Sequence, residues 1–171
     1  IFFYLRKEKV STIIHLAADP GKREYLNKTN YKEMFRLIQI NYLNSAWFLK
    51  ESCDLMSFET YQKNKSFIYV STQLAKFKGP GLSIYSSCKA AMNNLCKTLS
   101  YEYGSKGIRV NILTPGIVCI DPLDKEKYKP ALNIPLSRLA TPKDVYDAVC
   151  FLASDKSSYI TGADIDINGG R

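Results

Sequence analysis

A tyrosine and a lysine one helical turn apart have the residue types and spacing best suited to chemistry in this sequence. Tyr85 and Lys89 stand four positions apart, which places both side chains on one face of a helix. The pKa of a phenol, near 10, would have to fall by about three units for proton transfer near pH 7, which is roughly 4 kcal/mol. A cation about 4 Å away supplies on the order of 4 kcal/mol at an effective dielectric constant of about 20. The pair is therefore predicted to move a proton to or from an alcohol or carbonyl oxygen.

Composition alone does not distinguish this pair. With 12 tyrosines and 18 lysines in 171 residues, about one Tyr-x-x-x-Lys pair is expected by chance, and Tyr61 with Lys65 forms a second. Tyr85 differs because it follows a Gly79-Pro80-Gly81 loop and opens a helix rich in Ala, Ser and Asn. An ordinary amphipathic pair is the alternative interpretation.

Small and hydroxyl-bearing residues follow three strand-like runs and are expected to border one crevice. Ser71 and Thr72 follow one run, while Ala17-Ala18 and Pro115-Gly116 follow two others. In an open parallel sheet the loops beyond the carboxyl ends of the strands form the site. Thr72 can then hold a substrate oxygen against the phenol, because general acid–base catalysis needs that oxygen within hydrogen-bond reach.

The elements that must position these residues alternate between strand and helix. Short β-branched runs separated by segments of helical period are typical of βα units around a parallel sheet. The predicted strands cover residues 10–16, 67–70, 109–113 and 164–168, and the predicted helices cover about 28–58, 83–103 and 141–153. The predicted fold class is α/β, with no internal domain boundary.

Residue counts exclude several catalytic classes. Only one histidine is present, His15, so histidine-based zinc sites and Ser-His or Cys-His nucleophile pairs lack a base. A buried strand position is the simplest interpretation of His15. Asp164 and Asp166 alternate on one strand without a third carboxylate in register, so no metal site is predicted.

Charge and cysteine usage bear on partners and compartment. The net charge of +8 comes from scattered lysines rather than a basic block, so no nucleic-acid partner is predicted. No apolar run approaches the roughly 18 residues of a membrane span, so no membrane partner is predicted. The five cysteines form no Cys-x-x-Cys pair, which indicates reduced thiols in a cytoplasmic protein.

Nine motifs occur in the order typical of the short-chain dehydrogenase/reductase family, which the sequence resembles over nearly its whole length. They are Ile13 through Ala18; Asn41; Val70-Ser71-Thr72 with the 79–81 loop; Tyr85-x-x-x-Lys89; Arg109-Val110-Asn111 with Pro115-Gly116; 134–138; 141–145; 151–154; and 159–162 through Gly169-Gly170. Each motif alone is weak, but nine in sequence indicate homology. The resemblance implies a Rossmann-like, doubly wound parallel sheet flanked by helices.

The resemblance also implies hydride transfer between NAD or NADP and a small-molecule alcohol or carbonyl substrate. Tyr85 is then the general acid/base, Lys89 lowers its pKa and holds the nicotinamide ribose, and Asn41 supports a proton-relay water. Thr72 stands where the family usually has serine, thirteen positions before the tyrosine. The cofactor contacts implied are Ala17, Ala18, Pro115, Gly116 and Ile117, together with Tyr85 and Lys89.

The sequence departs from the family pattern at several places. Ile120 replaces a frequent threonine, His15 through Ala18 replace Asn-Asn-Ala-Gly, and the 121–133 segment is short for a substrate lid. The family's glycine-rich phosphate loop lies upstream of the first strand, and Gly21 is the only glycine in the first 78 residues. We therefore expect the chain to be the C-terminal two thirds of one such domain, with its N-terminal strands missing.

Two alternative functions stay open at this point. The form of residues 15–18 is closer to sugar-nucleotide dehydratases or epimerases of the same superfamily, although the ending at 161–170 opposes that interpretation. A catalytically silent binding or scaffold protein is the second alternative, favoured by Ile120 and the short lid.

By analogy with the family, helices 28–58 and 83–103 imply a homodimer or homotetramer. Lys125, Lys127 and Lys129 suit an acidic carrier or phosphorylated substrate, although solvated surface charge explains them as well.

Overall fold

The computed structural model describes residues 10–58, 64–121 and 133–171. Within these ranges the chain forms a parallel sheet of four strands in the spatial order β1-β2-β3-β4. The strands are β1 (Thr12–His15), β2 (Lys65–Val70), β3 (Ile108–Pro115) and β4 (Asp164–Ile167). All three pairings are parallel, which confirms the α/β parallel-sheet prediction.

Four α-helices connect the strands within the described ranges. They are α1 (Tyr31–Ile38), α2 (Asn44–Phe58), α3 (Ser83–Glu102) and α4 (Pro142–Ala153). A π-helical segment, Gln39–Leu43, joins α1 to α2, so the single helix predicted over 28–58 is two helices with an irregular turn between them. Short 3-10 turns cover Leu26–Lys28, Gln73–Ala75, Gly104–Lys106 and Asp155–Ser157.

The central strands are buried on both faces because helices cover both sides of the sheet. Every residue of β3 is buried, as are the first five of β2. The larger core cluster packs α2 and α3 on one face, through residues such as Leu49, Phe67 and Met92. On the other face Leu152 of α4 packs against Ile68 and Leu113. This two-sided burial also encloses polar side chains of both strands, among them Ser66, Arg109 and Asn111.

Local signals fix where two of the helices begin. The Asn30 side chain accepts a hydrogen bond from the Glu33 amide and caps α1. Thr141 and Asp144 form a reciprocal capping box at α4, whose first residue is Pro142. Such caps satisfy the amides that the first helical turn leaves unpaired. None of the described helices combines the length and the apolar character needed to cross a membrane.

Candidate active site

Tyr85 and Lys89 lie in the first turns of α3, against the carboxyl end of β2. Only 2% of Lys89 is exposed, and its Nζ atom donates a 2.9 Å hydrogen bond to the Val70 carbonyl. That bond ties α3 to the strand end two residues before Thr72. The same Nζ lies 4.6 Å from the centroid of the Tyr69 ring and 5.9 Å from that of Tyr85.

The pKa of Tyr85 differs from the sequence expectation. Burial raises the pKa of the phenol above its ordinary value, whereas Lys89 was predicted to lower it. Burial is the cause of this shift, and Lys89 does not offset it in the protein without cofactor. The role of Lys89 in lowering the pKa of Tyr85 stays a prediction. Tyr85 is therefore a neutral acid near pH 7, which is the form that donates a proton.

Lys89 carries a positive charge in unusually dry surroundings. Burial lowers its pKa from 10.5 to about 8, and no carboxylate among the described residues forms an ion pair with it. An ammonium has three donor hydrogens, and the Val70 carbonyl is the one acceptor that the described residues provide. Lys89 therefore has donors left for a ligand rich in hydroxyl groups.

The β2 end also presents two hydroxyls. Thr72 is half-buried in extended backbone, and its Oγ1 accepts a 3.3 Å hydrogen bond from the Leu74 amide. Because a hydroxyl both donates and accepts, Thr72 can still donate to a substrate oxygen. The buried Ser71 Oγ has no hydrogen-bond partner. Both Thr72 and its neighbour Ser71 therefore stand where the sequence placed them, and the role of Thr72 stays a prediction.

Asn41 is buried in the π-helical segment that follows α1, an irregularity often found at functional sites. Its Oδ1 accepts from the Asp19 amide at 2.9 Å, and its Nδ2 donates to the carbonyls of Asp19 at 2.8 Å and Leu37 at 2.9 Å. An ion pair of 2.6 Å between Arg36 and Asp19 supports the same loop. The Asn41 side chain thus pins the segment after β1, and its part in a water relay stays a prediction.

Asn41→Ala is expected to lower the free energy of unfolding by roughly 3 kcal/mol, because it leaves the Asp19 amide and carbonyl without their partners. Urea denaturation measures the loss. Asn94→Ala is the matched control, since Asn94 is exposed on α3 and should change stability by a few tenths of a kcal/mol. A loss of under about 1 kcal/mol at position 41 would contradict this account of the loop.

The positions predicted to contact a cofactor lie at the carboxyl ends of β1 and β3. Ala17 and Ala18 are exposed directly after β1, Pro115 is buried at the end of β3, and Ile117 is partly exposed. A Cβ atom on Gly116 would lie 3.1 Å from the Asn168 Cα atom, so glycine allows a close approach of the two backbones there. These small or half-exposed residues lie at strand ends of the same sheet edge, and their contacts with a cofactor stay a prediction.

Other predicted positions have simpler settings. His15 is buried in β1 beside Phe48 and Tyr69, and both burial and the charge of Lys89 lower its pKa. Ile120 is exposed. Lys76 forms ion pairs with both Asp164 and Asp166, at 3.0 and 2.7 Å, so the partner of these carboxylates is an ammonium. The greater part of the 121–133 segment, with Lys125, Lys127 and Lys129, and likewise Tyr61, lies outside the described residues.

Sequence reasoning missed two buried polar residues that border the site. Tyr69 lies beneath the Lys89 ammonium. Gln73 follows Thr72, and its buried Oε1 has no hydrogen-bond partner. The strand alternation of β2 was the available signal for Tyr69, because it places this residue on the same face as Phe67. No sequence pattern marked Gln73.

Comparison with known proteins gives a consistent set of relatives. The sequence model of a family described as enoyl-(acyl carrier protein) reductase matches residues 6–171. A 3-oxoacyl-[acyl-carrier-protein] reductase of Rickettsia felis is 37% identical over 139 residues, which cover 79% of this chain and 56% of that protein. A 4-formylbenzenesulfonate dehydrogenase of Comamonas testosteroni is 35% identical, with 92% of this chain and 67% of that protein covered. A mouse (3R)-3-hydroxyacyl-CoA dehydrogenase is 33% identical, with 93% and 62% covered.

Solved structures give the same result for the fold. One described as a short chain dehydrogenase/reductase family protein superposes with a TM-score of 0.82 at 27% identity, covering 95% of this chain and 67% of that one. The ligand-free aldohexose dehydrogenase of Thermoplasma acidophilum superposes with a TM-score of 0.86 at 23% identity, covering 99% and 71%. The chain spans about half to two thirds of the length of the curated relatives it matches.

Proposed function

The chain belongs to the short-chain dehydrogenase/reductase family, and on that premise we propose that it transfers a hydride between NAD(P)(H) and an alcohol or carbonyl substrate. The observation that carries the proposal is the placement of Tyr85 and Lys89 together against the end of β2. In this proposal residues 1–171 form the C-terminal two thirds of a single dinucleotide-binding domain.

In the reducing direction NAD(P)H supplies the hydride when bound. The Tyr85 phenol, neutral because burial raises its pKa, gives its proton to the substrate oxygen as the carbonyl carbon accepts the hydride. Thr72 donates a hydrogen bond to that oxygen, which holds it within reach of the phenol. The Lys89 ammonium then stabilises the negative charge left on Tyr85, because opposite charges attract strongly at a partly dry site. The products are the alcohol and the oxidised cofactor, and the phenolate regains its proton from solvent.

The residues present suit the nicotinamide half of such a cofactor. Lys89 has free donors for ribose hydroxyls, the exposed Ala17 and Ala18 allow close approach, and the half-buried Gly116 and Ile117 follow β3 directly. The buried Lys89 brings a positive charge to 5.9 Å from the centroid of the Tyr85 ring. The substrate class we propose is a 3-oxoacyl thioester, following the relatives from Rickettsia felis and mouse.

An oligomer is part of the same proposal. Large apolar side chains remain exposed on the helices that the sequence assigned to subunit contacts, among them Trp47 on α2 at 60% and Tyr101 on α3 at 91%. Large apolar side chains are buried when such helices form subunit contacts. A homodimer or homotetramer that buries these two helices would account for it.

The proposed function predicts that deuterium from [4-²H]NADPH or [4-²H]NADH appears at the new carbinol carbon when the full-length protein reduces a 3-oxoacyl thioester of coenzyme A. Cofactor absorbance follows the rate, and NMR locates the label. The aldehyde 4-formylbenzenesulfonate is the comparison substrate, and faster turnover of it would move the substrate class to aldehydes while keeping the reaction. Failure to bind either nicotinamide would favour the silent scaffold, and a co-purifying sugar nucleotide would favour a dehydratase or epimerase.

A further inference from the structure

Tyr69 makes a contact with Lys89 that the proposed reaction does not yet use. The residue lies in β2, three positions before Thr72, and is fully buried. Its ring centroid is 4.6 Å from the Lys89 Nζ atom, closer than the ring of Tyr85 at 5.9 Å. A cation within about 6 Å of an aromatic face is attracted to it, and the attraction strengthens as water is removed. The geometry is thus that of a buried cation–π pair.

The hydroxyl of Tyr69 does not explain why an aromatic residue stands there. Its oxygen is buried and has no hydrogen-bond partner. A buried polar group without a partner destabilises the folded state, so the hydroxyl works against stability while the ring contacts Lys89. The ring is therefore the functional part of this side chain.

We propose that Tyr69 is a positioning residue, whose aromatic face holds the Lys89 ammonium charged and in place at the end of β2 so that it can support proton transfer at Tyr85. The inference rests on the proposed function for what Lys89 does. Two contacts fix the ammonium: the carbonyl of Val70 accepts one hydrogen, and the ring centroid of the preceding residue lies 4.6 Å away. Successive residues of one strand thus supply both contacts.

The titratable groups that face this pair come from two elements, β1 and α3. His15 of β1 is the register partner of Tyr69, with ring centroids 5.6 Å apart, and its pKa is lowered by burial and by Lys89. From α3, burial raises the pKa of Tyr85, Cys88 and Cys96. All of these groups are neutral near pH 7, and no described carboxylate pairs with Lys89. The ring face is therefore a main source of negative potential for the ammonium.

A fluorinated series at position 69 tests the inference without changing the shape of the core. Phe, 4-fluoro-, 3,5-difluoro- and 3,4,5-trifluoro-phenylalanine are incorporated in turn into the full-length protein, because fluorine withdraws electron density from the ring face. The pKa of Lys89 is followed by NMR of ¹³C-labelled lysine in the cofactor-free protein, with its signal assigned by Lys89→Arg. We expect that pKa to fall stepwise by about one unit from phenylalanine to the trifluoro ring.

Two further measurements are needed. One distinguishes the effect of the Tyr69 ring from that of its hydroxyl, and the other distinguishes a failure of this inference from a failure of the proposed function. The pH at which carbonyl reduction declines on the alkaline side should fall together with the pKa of Lys89. Tyr69→Leu should lower that pH, and Tyr69→Phe, which keeps the ring, should leave it at the wild-type value. Tyr159→Leu, at a fully exposed tyrosine, is the matched control and should leave it in place. An unchanged lysine pKa across the series would contradict the role of Tyr69 and would leave the proposed hydride transfer standing. An active Tyr85→Phe variant would instead contradict the proposed reaction mechanism. The pKa of Lys89 would then be the one measurement that still tests the role of Tyr69.

Discussion

Tyr85→Phe is expected to lower kcat for carbonyl reduction by about 10³-fold, the typical contribution of a positioned general acid. The substitution removes the phenol proton and retains the ring. No hydrogen bond among the described residues involves the Tyr85 hydroxyl, so the fold should persist. Burial makes the phenol a weak acid in the free protein, and in the proposed reaction the hydroxyl gives its proton as charge develops on the substrate oxygen. Steady-state kinetics with NADPH or NADH measures the loss.

The controls for this variant follow from its surroundings. Cofactor affinity, measured by fluorescence titration, should fall less than in Lys89→Met, because the Lys89 donors are untouched. Tyr159→Phe, at a fully exposed tyrosine, should retain wild-type kcat. A Tyr85→Phe variant that keeps more than a tenth of wild-type kcat would assign the acid to another group, with Thr72 the first to examine.

The fold followed closely from sequence pattern because its elements are locally encoded. The start of α4 was visible as Thr141 before Pro142 with Asp144 in the first turn, and the structure has that capping box. The cores of β2 and β3 were predicted as the short runs 67–70 and 109–113, which are rich in β-branched residues. The π-helical segment Gln39–Leu43 was not predicted, because its residues keep helical spacing and its cause is tertiary: the Asn41 side chain bonds to the backbone of Asp19.

The candidate site was predictable in its membership and not in its electrostatics. Motif order identified Tyr85 and Lys89 and the strand ends that face them. The direction of the Tyr85 pKa shift depends on burial and on where the ammonium points, and neither quantity can be read from a spacing of four residues. Tyr69 was missed for a related reason, since its significance comes from the residue that packs on its ring.

Lys89→Met is expected to abolish most turnover. It should also stabilise the folded state near neutral pH, because the buried ammonium is removed. In the proposed reaction the Lys89 ammonium stabilises the negative charge that Tyr85 carries after it gives up its proton. Without that ammonium, kcat should fall by roughly 10²-fold or more. Cofactor affinity should fall as well, because the donors proposed for the ribose are lost. Methionine has similar length and packs well in apolar surroundings, so the variant should fold. Lys97→Met, on the exposed side of α3, is the matched control for both measurements.

The same variant should show that Lys89 costs stability near neutral pH. The folded-state pKa of about 8 lies below the ordinary 10.5, so between these values the unfolded chain binds more protons than the folded one. Stability of the wild type therefore rises with pH across this window relative to Lys89→Met. The difference in unfolding free energy between variant and wild type should shrink by roughly 3 kcal/mol from pH 7 to pH 10.5. Titrations of tyrosines and cysteines occur in both proteins and cancel in that difference. Urea unfolding of both cofactor-free proteins at each pH measures it, and a difference independent of pH would mean that Lys89 titrates as an exposed lysine does.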